Sequence, residues 1–168
     1  MASNPYTRST LEGHTLLGNV FTSTISLNIA QNNSAFFNVH IPSTASIVTI
    51  GREIVSNSAD GFEVRVYSNP TNVALGSTVP NKNTNMQSSK TSTVSISTVN
   101  SYSTTSTEVD FSLLPAGGFK SGGSYPSNTI RIYAPGEYFV GVKNLSINSS
   151  ATVYITYTWI QVTDLTQF

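Results

Sequence analysis

The stretch Val153-Tyr154-Ile155-Thr156-Tyr157-Thr158-Trp159 decides the fold class of this chain. Large apolar or aromatic residues occupy every second position of the stretch. Successive side chains of a β-strand point to opposite faces, so this two-residue period predicts a strand with one buried and one exposed face. Trp159 is in phase with Val153 and Ile155, and we therefore expect Trp159 to lie in the core.

The same period recurs in shorter stretches, which are separated by turn-forming pairs such as Asp60-Gly61 and Pro135-Gly136. Many short strands separated by turns are typical of an antiparallel sandwich or barrel, so we predict an all-β fold. A chain of 168 residues fits one domain, which we place at residues 14–164. The other alternating stretches are Ile25–Ile29, Phe37–Ile41, Phe62–Tyr67, Val94–Ser97, Ile130–Ile132 and Tyr138–Val142.

Three segments lack the alternating pattern. Residues 81–93 are polar except for Met86, which predicts a long exposed loop. Residues 100–107 are rich in Ser, Thr and Tyr and predict a second loop. Residues 1–13 are mostly polar and contain Pro5, and we expect them to form an extended N-terminal arm outside the core.

Charge is scarce in this chain, and small neutral polar residues take its place. Charged residues make up 10% of the sequence, with 8 Lys+Arg balanced by 8 Asp+Glu, whereas soluble domains usually contain about 25%. Ser, Thr and Asn number 26, 22 and 16. A net charge of zero is a poor match for nucleic acid, and no apolar run is long enough to span a membrane. We expect neither partner, and we expect neutral surfaces of this kind to suit a large protein assembly.

The sequence offers few groups for catalysis or for holding a cofactor. Cysteine is absent, and His14 and His40 are not spaced like metal ligands. Gly117 and Gly122 have the spacing of a phosphate-binding loop, but Gly123 stands where that motif requires lysine. We therefore expect no enzymatic activity, no metal and no cofactor.

Asparagines and tyrosines in the predicted loops, which include a further loop at residues 117–128, support a second interpretation. Asn side chains can hydrogen-bond a sugar while exposed aromatic rings stack on it. The candidates for such a site are Asn83, Asn85, Tyr102 and Tyr125.

Five segments of the sequence follow one another in a distinctive order. The strand Phe62–Tyr67 precedes the loop Val79-Pro80-Asn81-Lys82-Asn83-Thr84-Asn85. Near the end of the chain, Pro135-Gly136-Glu137-Tyr138-Phe139-Val140 leads to Val142-Lys143-Asn144 and then to the closing strand with Trp159.

This order resembles a group of small virion proteins of tailed bacteriophages, over about residues 11–162. In that group an Asn-x-Asn-Arg-like loop follows a strand pair; here Thr84 stands at the arginine position. The resemblance implies a jelly-roll-like sandwich that acts as a capsid decoration, or cement, protein on the outside of the virion, after synthesis in the host cytoplasm. It also implies a homo-oligomer, often a trimer, that binds the major capsid protein and stabilises the head.

Two functions therefore remain open at this point. A decoration protein would bind without turnover, and we expect its capsid contact in the N-terminal arm, with Tyr6, Arg8 and Leu11 as anchors. The alternative is a tail-fibre or baseplate domain that recognises a host-surface glycan through the predicted loops.

Overall fold

The decisive stretch lies in the longest strand of the computed structural model, which describes residues 10–58, 60–103, 107–114, 121–122 and 131–163. The elements in chain order are α1 (Thr10–Leu16), β1 (Val20–Ile29), β2 (Ser34–Ile41), β3 (Ser46–Ser56), β4 (Phe62–Ser68), β5 (Thr71–Val79), β6 (Lys82–Asn83), β7 (Ser95–Ser103), β8 (Thr107–Leu114), β9 (Ser121–Gly122), β10 (Arg131–Tyr133), β11 (Gly136–Asn144) and β12 (Ala151–Val162).

Two antiparallel sheets pack against each other. Sheet A has the strand order β10-β3-β12-β1-β6, with β9 also paired to β3, and sheet B has the order β5-β7-β2-β11-β4-β8. The strands β1, β2, β3 and β4 fall alternately in sheets A and B, and β8, β10, β11 and β12 alternate in the same way. This alternation produces the predicted jelly-roll-like sandwich.

The longest uninterrupted ladder joins β1 to β12 at the centre of sheet A. Ten residue pairs run from Val20 opposite Ile160 to Ile29 opposite Ala151 without a change of register. On the other side of β12, the pairing with β3 shifts register between Thr158 and Trp159.

The inner faces of both sheets form one hydrophobic core. Trp159 is 2% exposed and stacks on Phe21, with ring centroids 6.2 Å apart, which confirms its predicted place. Phe37 of sheet B is fully buried and meets the edge of the Tyr157 ring of sheet A at 5.9 Å. Each large side chain buried in this way contributes about 1.5–3 kcal/mol. Burial in this shared core, including the Phe37–Tyr157 contact between the sheets, holds the two sheets together.

The outer face of sheet A is lined with hydroxyl groups. The Thr24 and Thr156 hydroxyls, on neighbouring strands, are hydrogen-bonded at 3.0 Å. The Thr152 hydroxyl donates to Oδ1 of Asn28 at 2.8 Å. Polar cross-strand pairs of this kind stabilise a sheet without charge. On this face, hydrogen bonds between neutral side chains therefore take the place of ion pairs.

The predicted loop at residues 100–107 is partly wrong. Strand β7 continues to Ser103, and β8 begins at Thr107. The Asn100 side chain donates to the Leu75 carbonyl at 3.3 Å, and the Thr98 hydroxyl accepts from the Ser77 backbone N–H at 2.9 Å. Polar side chains thus support the β5–β7 pairing beyond Ser97, which explains why no apolar alternation marks residues 98–103.

The predicted extended arm at residues 1–13 is wrong for its last four residues. Thr10 to Gly13 belong to helix α1, and residues 1–9 lie outside the described part of the chain. Buried His14 places the helix against the sandwich, so tertiary contact stabilises a helix that is too short to be stable alone. No helix in the described ranges is long and apolar enough to cross a membrane.

Candidate protein-binding surface

Helix α1 presents large apolar side chains to solvent beside the sandwich. Leu11, Leu16 and Leu17 are 44%, 57% and 61% exposed. The chain leaves the helix through Gly18, whose φ of +70° lies in the left-handed region that glycine adopts without strain. We call Leu11, Leu16 and Leu17 the leucine surface.

The loop after β6 holds the end of this helix in place. Asn83 donates from Nδ2 to the carbonyls of Gly18 at 2.9 Å and Lys90 at 3.0 Å. Asn85 donates from Nδ2 to the Leu16 carbonyl at 3.1 Å. Carbonyls at a helix end lack partners within the helix, so these amides fix the position of the leucine surface.

The two asparagines also use their side-chain oxygens internally. Asn83 Oδ1 accepts from the Asn85 backbone N–H at 2.9 Å, and Asn85 Oδ1 accepts from the Gln87 N–H at 3.0 Å. The described loop is therefore an internally bonded turn, and both amides predicted to bind a ligand are engaged with the chain's own backbone.

Only two of the remaining predicted site residues, Leu11 and Tyr102, fall within the described part of the chain. Leu11 lies on α1 rather than on extended chain, while Tyr6 and Arg8 fall outside the described residues. Tyr102 was predicted to lie in a loop, but its backbone belongs to strand β7. Tyr125 also falls outside the described residues.

Comparison with known proteins gives no family assignment. No family model matches the chain, and none of the curated proteins matches it. The surface must therefore be interpreted from its own chemistry.

A second exposed apolar surface lies on strand β8, at the edge of sheet B. Val109, Phe111 and Leu113 are 49%, 45% and 59% exposed. Phe111 and Leu113 alternate along the strand and point to the same face. Val109 is the extra residue of a β-bulge, because Val66 pairs with Asp110 and Tyr67 pairs with Glu108. We call these three residues the β8 stripe. The sequence contains this alternation, but apolar alternation ordinarily indicates a buried face, and here it marks the exposed one.

Charged residues lie next to Phe111 of the β8 stripe, on the same face of sheet B. The Arg65 guanidinium lies over the Phe111 ring, 4.6 Å from its centroid. Nη1 of Arg65 also donates to Glu108 at 2.7 Å, and Nε lies 3.4 Å from Glu63. The two carboxylates raise the pKa of Arg65 above its ordinary value, chiefly through the hydrogen bond with Glu108.

The opposite face of β8 carries a buried ionic cluster that connects the two sheets. Asp110 of sheet B lies 3.6 Å from Nη1 of Arg52 on β3 and also contacts Nη1 of Arg131 on β10. Nη2 of Arg52 donates to the Ser112 hydroxyl at 2.7 Å. The Arg52 and Asp110 side chains are 4% and 6% exposed. Charge inside the sandwich therefore determines which face of β8 points outward.

A smaller polar cluster lies on the outer face of sheet B. Glu137 accepts from Nδ2 of Asn38 and is hydrogen-bonded to Nδ1 of His40, both at 2.6 Å. Asn38 and His40 belong to β2 and Glu137 to the neighbouring strand β11, and His40 lies directly opposite Glu137 in the pairing of these strands. Within the described ranges, no three His, Cys, Asp or Glu side chains are grouped so as to hold a metal ion.

A cavity between the sheets is too small for an organic ligand. Its volume is about 30 Å³, and its walls include Tyr157 and Trp159 from sheet A. This is about the volume of one water molecule. The exposed apolar residues of the leucine surface and of β8 have the chemistry of protein contacts.

Proposed function

We propose that the protein is a structural virion component that decorates a capsid, binding the major capsid protein without catalysis. The leucine surface carries this proposal. Three leucines, each about half exposed, lie at the start of the described chain: Leu11 and Leu16 on one short helix, and Leu17 directly after it. Exposed leucines are costly in water and become favourable when a partner covers them.

The internal bonding of the helix supports a binding role. Asn83 and Asn85 fix the carbonyl end of α1 before any partner arrives. A surface held in its bound shape loses less conformational entropy on association, which strengthens binding. The low charge of the chain is compatible with this role, because a neutral surface avoids the cost of removing water from ions.

The glycan-binding alternative is less well supported by the described residues. Two of its four candidate residues, Asn83 and Asn85, have amide groups that already bond to the backbone. A sugar would have to break these bonds before it could form its own.

Co-sedimentation with undecorated shells of the virus's own major capsid protein tests the proposal. A variant with Leu11, Leu16 and Leu17 all changed to Ser should lose at least tenfold in affinity. Ile147→Ser is the matched control, because Ile147 is 70% exposed in the turn between β11 and β12, away from α1. The control should bind like the natural chain.

The triple variant also provides the decisive negative result. If it stays folded by circular dichroism and still decorates shells with natural affinity, the leucine surface is not the capsid contact. A separate variant that lacks residues 2–9 tests whether Tyr6 and Arg8 contribute to the affinity for capsid shells, as the sequence predicts.

A further inference from the structure

Strand β1 has a free edge over most of its length. On one side it pairs with β12 along ten residues, but on the other side the short strand β6 covers only Phe21 and Thr22. No other strand in the described ranges pairs with β1. Just before β6, the Pro80 carbonyl accepts from the Ser23 hydroxyl at 3.1 Å. Beyond this contact the main chain has a neighbouring strand on one side only, and we call the stretch Thr24–Ile29 the β1 edge.

The hydrogen bonds at the start of β1 show which residues direct their main-chain groups to the free side. The Asn19 carbonyl accepts from the Gln161 N–H on the β12 side, whereas the Val20 carbonyl accepts from the Thr84 N–H on the β6 side. Residues of an antiparallel pair alternate between those that bond to the partner strand and those whose N–H and C=O point away from it. Even-numbered residues of β1 therefore direct these groups away from β12. On the β1 edge these residues are Thr24, Ser26 and Asn28.

The outward-pointing main-chain groups of the β1 edge are unpaired. Thr24, Ser26 and Asn28 are exposed, and the side chains of Thr24 and Asn28 bond only to hydroxyls of β12. Within the described ranges, no residue bonds to the outward N–H and C=O groups of these three residues. Three donors and three acceptors thus lie along one exposed edge, with a repeat of about 6.8 Å.

The outer strands β5, β8 and β10 carry features that oppose the addition of another strand. Strand β8 has the bulge at Val109 and the charged Glu108. The pairing of β5 with β7 changes register at three points, and β10 has three residues and begins with Arg131. The β1 edge contains no charge and no proline, and its pairing with β12 has no bulge. Proteins usually protect edge strands by such features, so the unprotected β1 edge is suited to accept a strand.

We propose that an extended segment of the major capsid protein adds to the β1 edge as a further strand of sheet A. The unpaired groups identify a peptide strand as the ligand, because a β-strand presents N–H and C=O groups with the same repeat. The assignment of this strand to the major capsid protein rests on the proposed function. It gives the capsid contact a second part, in which main-chain hydrogen bonds provide the affinity.

The β1 edge and the leucine surface are neighbours through β6. The added strand would lie end to end with β6, which occupies the same line beside Phe21 and Thr22. Asn83 of β6 donates to the Gly18 carbonyl, directly after Leu17 of the leucine surface. The edge itself is about 20 Å long. One partner therefore reaches both surfaces without a change in the sandwich.

Ser26→Pro tests the main-chain contact. Proline removes the N–H that the added strand needs and places its ring at the free edge, but it removes no bond to β12, because the main-chain groups of Ser26 point away from that strand. Ser26→Ala is the matched control, since it removes the hydroxyl and keeps the N–H. In co-sedimentation with undecorated shells, Ser26→Pro should lose at least tenfold in affinity, and Ser26→Ala should bind like the natural chain.

Hydrogen exchange provides a measurement that needs no substitution. In the free chain, the amides of Thr24, Ser26 and Asn28 should exchange rapidly, whereas those of Ile25 and Leu27, which bond to β12, should exchange slowly. Undecorated shells should slow exchange at the three outward amides at least tenfold. This measurement decides the question if Ser26→Pro does not fold.

The outcomes separate the β1 edge from the proposed function. Natural affinity of folded Ser26→Pro, or unchanged exchange of the three amides on shells, would overturn the β1-edge contact and leave the leucine surface as the capsid contact. Slow exchange in the free chain that becomes fast on dilution would show that a second copy fills the edge, which also overturns the proposal. If the natural chain does not bind shells at all, the proposed function itself is wrong, and the assignment of the strand fails with it.

Discussion

Asn144 and Ser58 are joined by a hydrogen bond of 3.1 Å inside one end of the sandwich, where the Ser58 hydroxyl donates to Oδ1 of Asn144. The Asn144 side chain is fully buried and also donates from Nδ2 to the Ser149 carbonyl at 2.8 Å. The same nitrogen lies 3.4 Å from the Ala30 carbonyl. One amide thus connects the segments that follow β1, β3 and β11.

Replacing Asn144 should separate these three segments. Asn144→Ala leaves several buried polar groups without partners, each of which costs about 1–3 kcal/mol. We expect the free energy of unfolding to fall by about 2–4 kcal/mol in urea titrations. Asn148→Ala, at an exposed position in the same turn, should change it by less than about 0.5 kcal/mol. Equal losses in both variants would contradict the connecting role of Asn144.

Because of the buried ionic cluster, two substitutions on strand β8 should have very different effects on stability. Asp110→Ala removes the buried carboxylate that faces Arg52 and Arg131, and such a loss typically costs about 3–5 kcal/mol. Glu108→Ala removes a carboxylate from the more exposed pair with Arg65, and we expect a loss of less than about 1 kcal/mol. Urea unfolding measures both changes. Similar effects of the two substitutions would mean that the buried cluster does not hold β8 in place.

Gly141 allows two aromatic rings to stack on the outside of sheet B. The Phe36 and Phe139 ring centroids are 4.8 Å apart, and a Cβ at Gly141 would lie 2.7 Å from Phe36. Gly141→Ala should displace the Phe36 ring and lower the free energy of unfolding by about 1–3 kcal/mol. At Gly51 a Cβ would meet only an ordinary contact of 3.9 Å with Thr158, so Gly51→Ala is the control and should have little effect. The ring displacement can be followed by near-ultraviolet circular dichroism.

Tyr138 should make the fold sensitive to alkali. Burial raises the pKa of its phenol above the ordinary value, and its hydroxyl donates to the Ala134 carbonyl at 3.0 Å. Because the folded state favours the neutral phenol, its contribution to stability is complete below the ordinary pKa and is lost as the pH rises through the raised pKa. Tyr138→Phe should therefore lose less stability than the natural chain between pH 8 and about pH 11. Urea midpoints at both pH values test this, and an unchanged pH dependence would contradict it.

Five of the interior strands were predictable, because burial of one strand face requires apolar residues at alternate positions. Strands β1, β2, β4, β11 and β12 have neighbours on both sides and one face in the core, so apolar residues recur at every second position. The same reasoning placed Trp159 correctly. These strands account for the sandwich.

The edges of the molecule could not be predicted in the same way. Strand β8 hides Asp110 and exposes Phe111, because the arginines that neutralise Asp110 come from β3 and β10, far away in the sequence. Helix α1 depends on contacts from Asn85, 69 residues beyond Leu16. Local sequence patterns do not reveal such distant partners. Of the residues of the two apolar surfaces, only Leu11 was therefore named from the sequence, and the others emerged from the structure.

The hydroxyl pairs Thr24–Thr156 and Asn28–Thr152 bind one another as neutral groups. Dissolved salt screens the attraction between exposed charges, but it has little effect on the strength of hydrogen bonds between neutral groups. The stability that these pairs give to the outer face of sheet A should therefore be the same at low and at high ionic strength, whereas a surface stabilised by ion pairs would become less stable as the salt concentration rises.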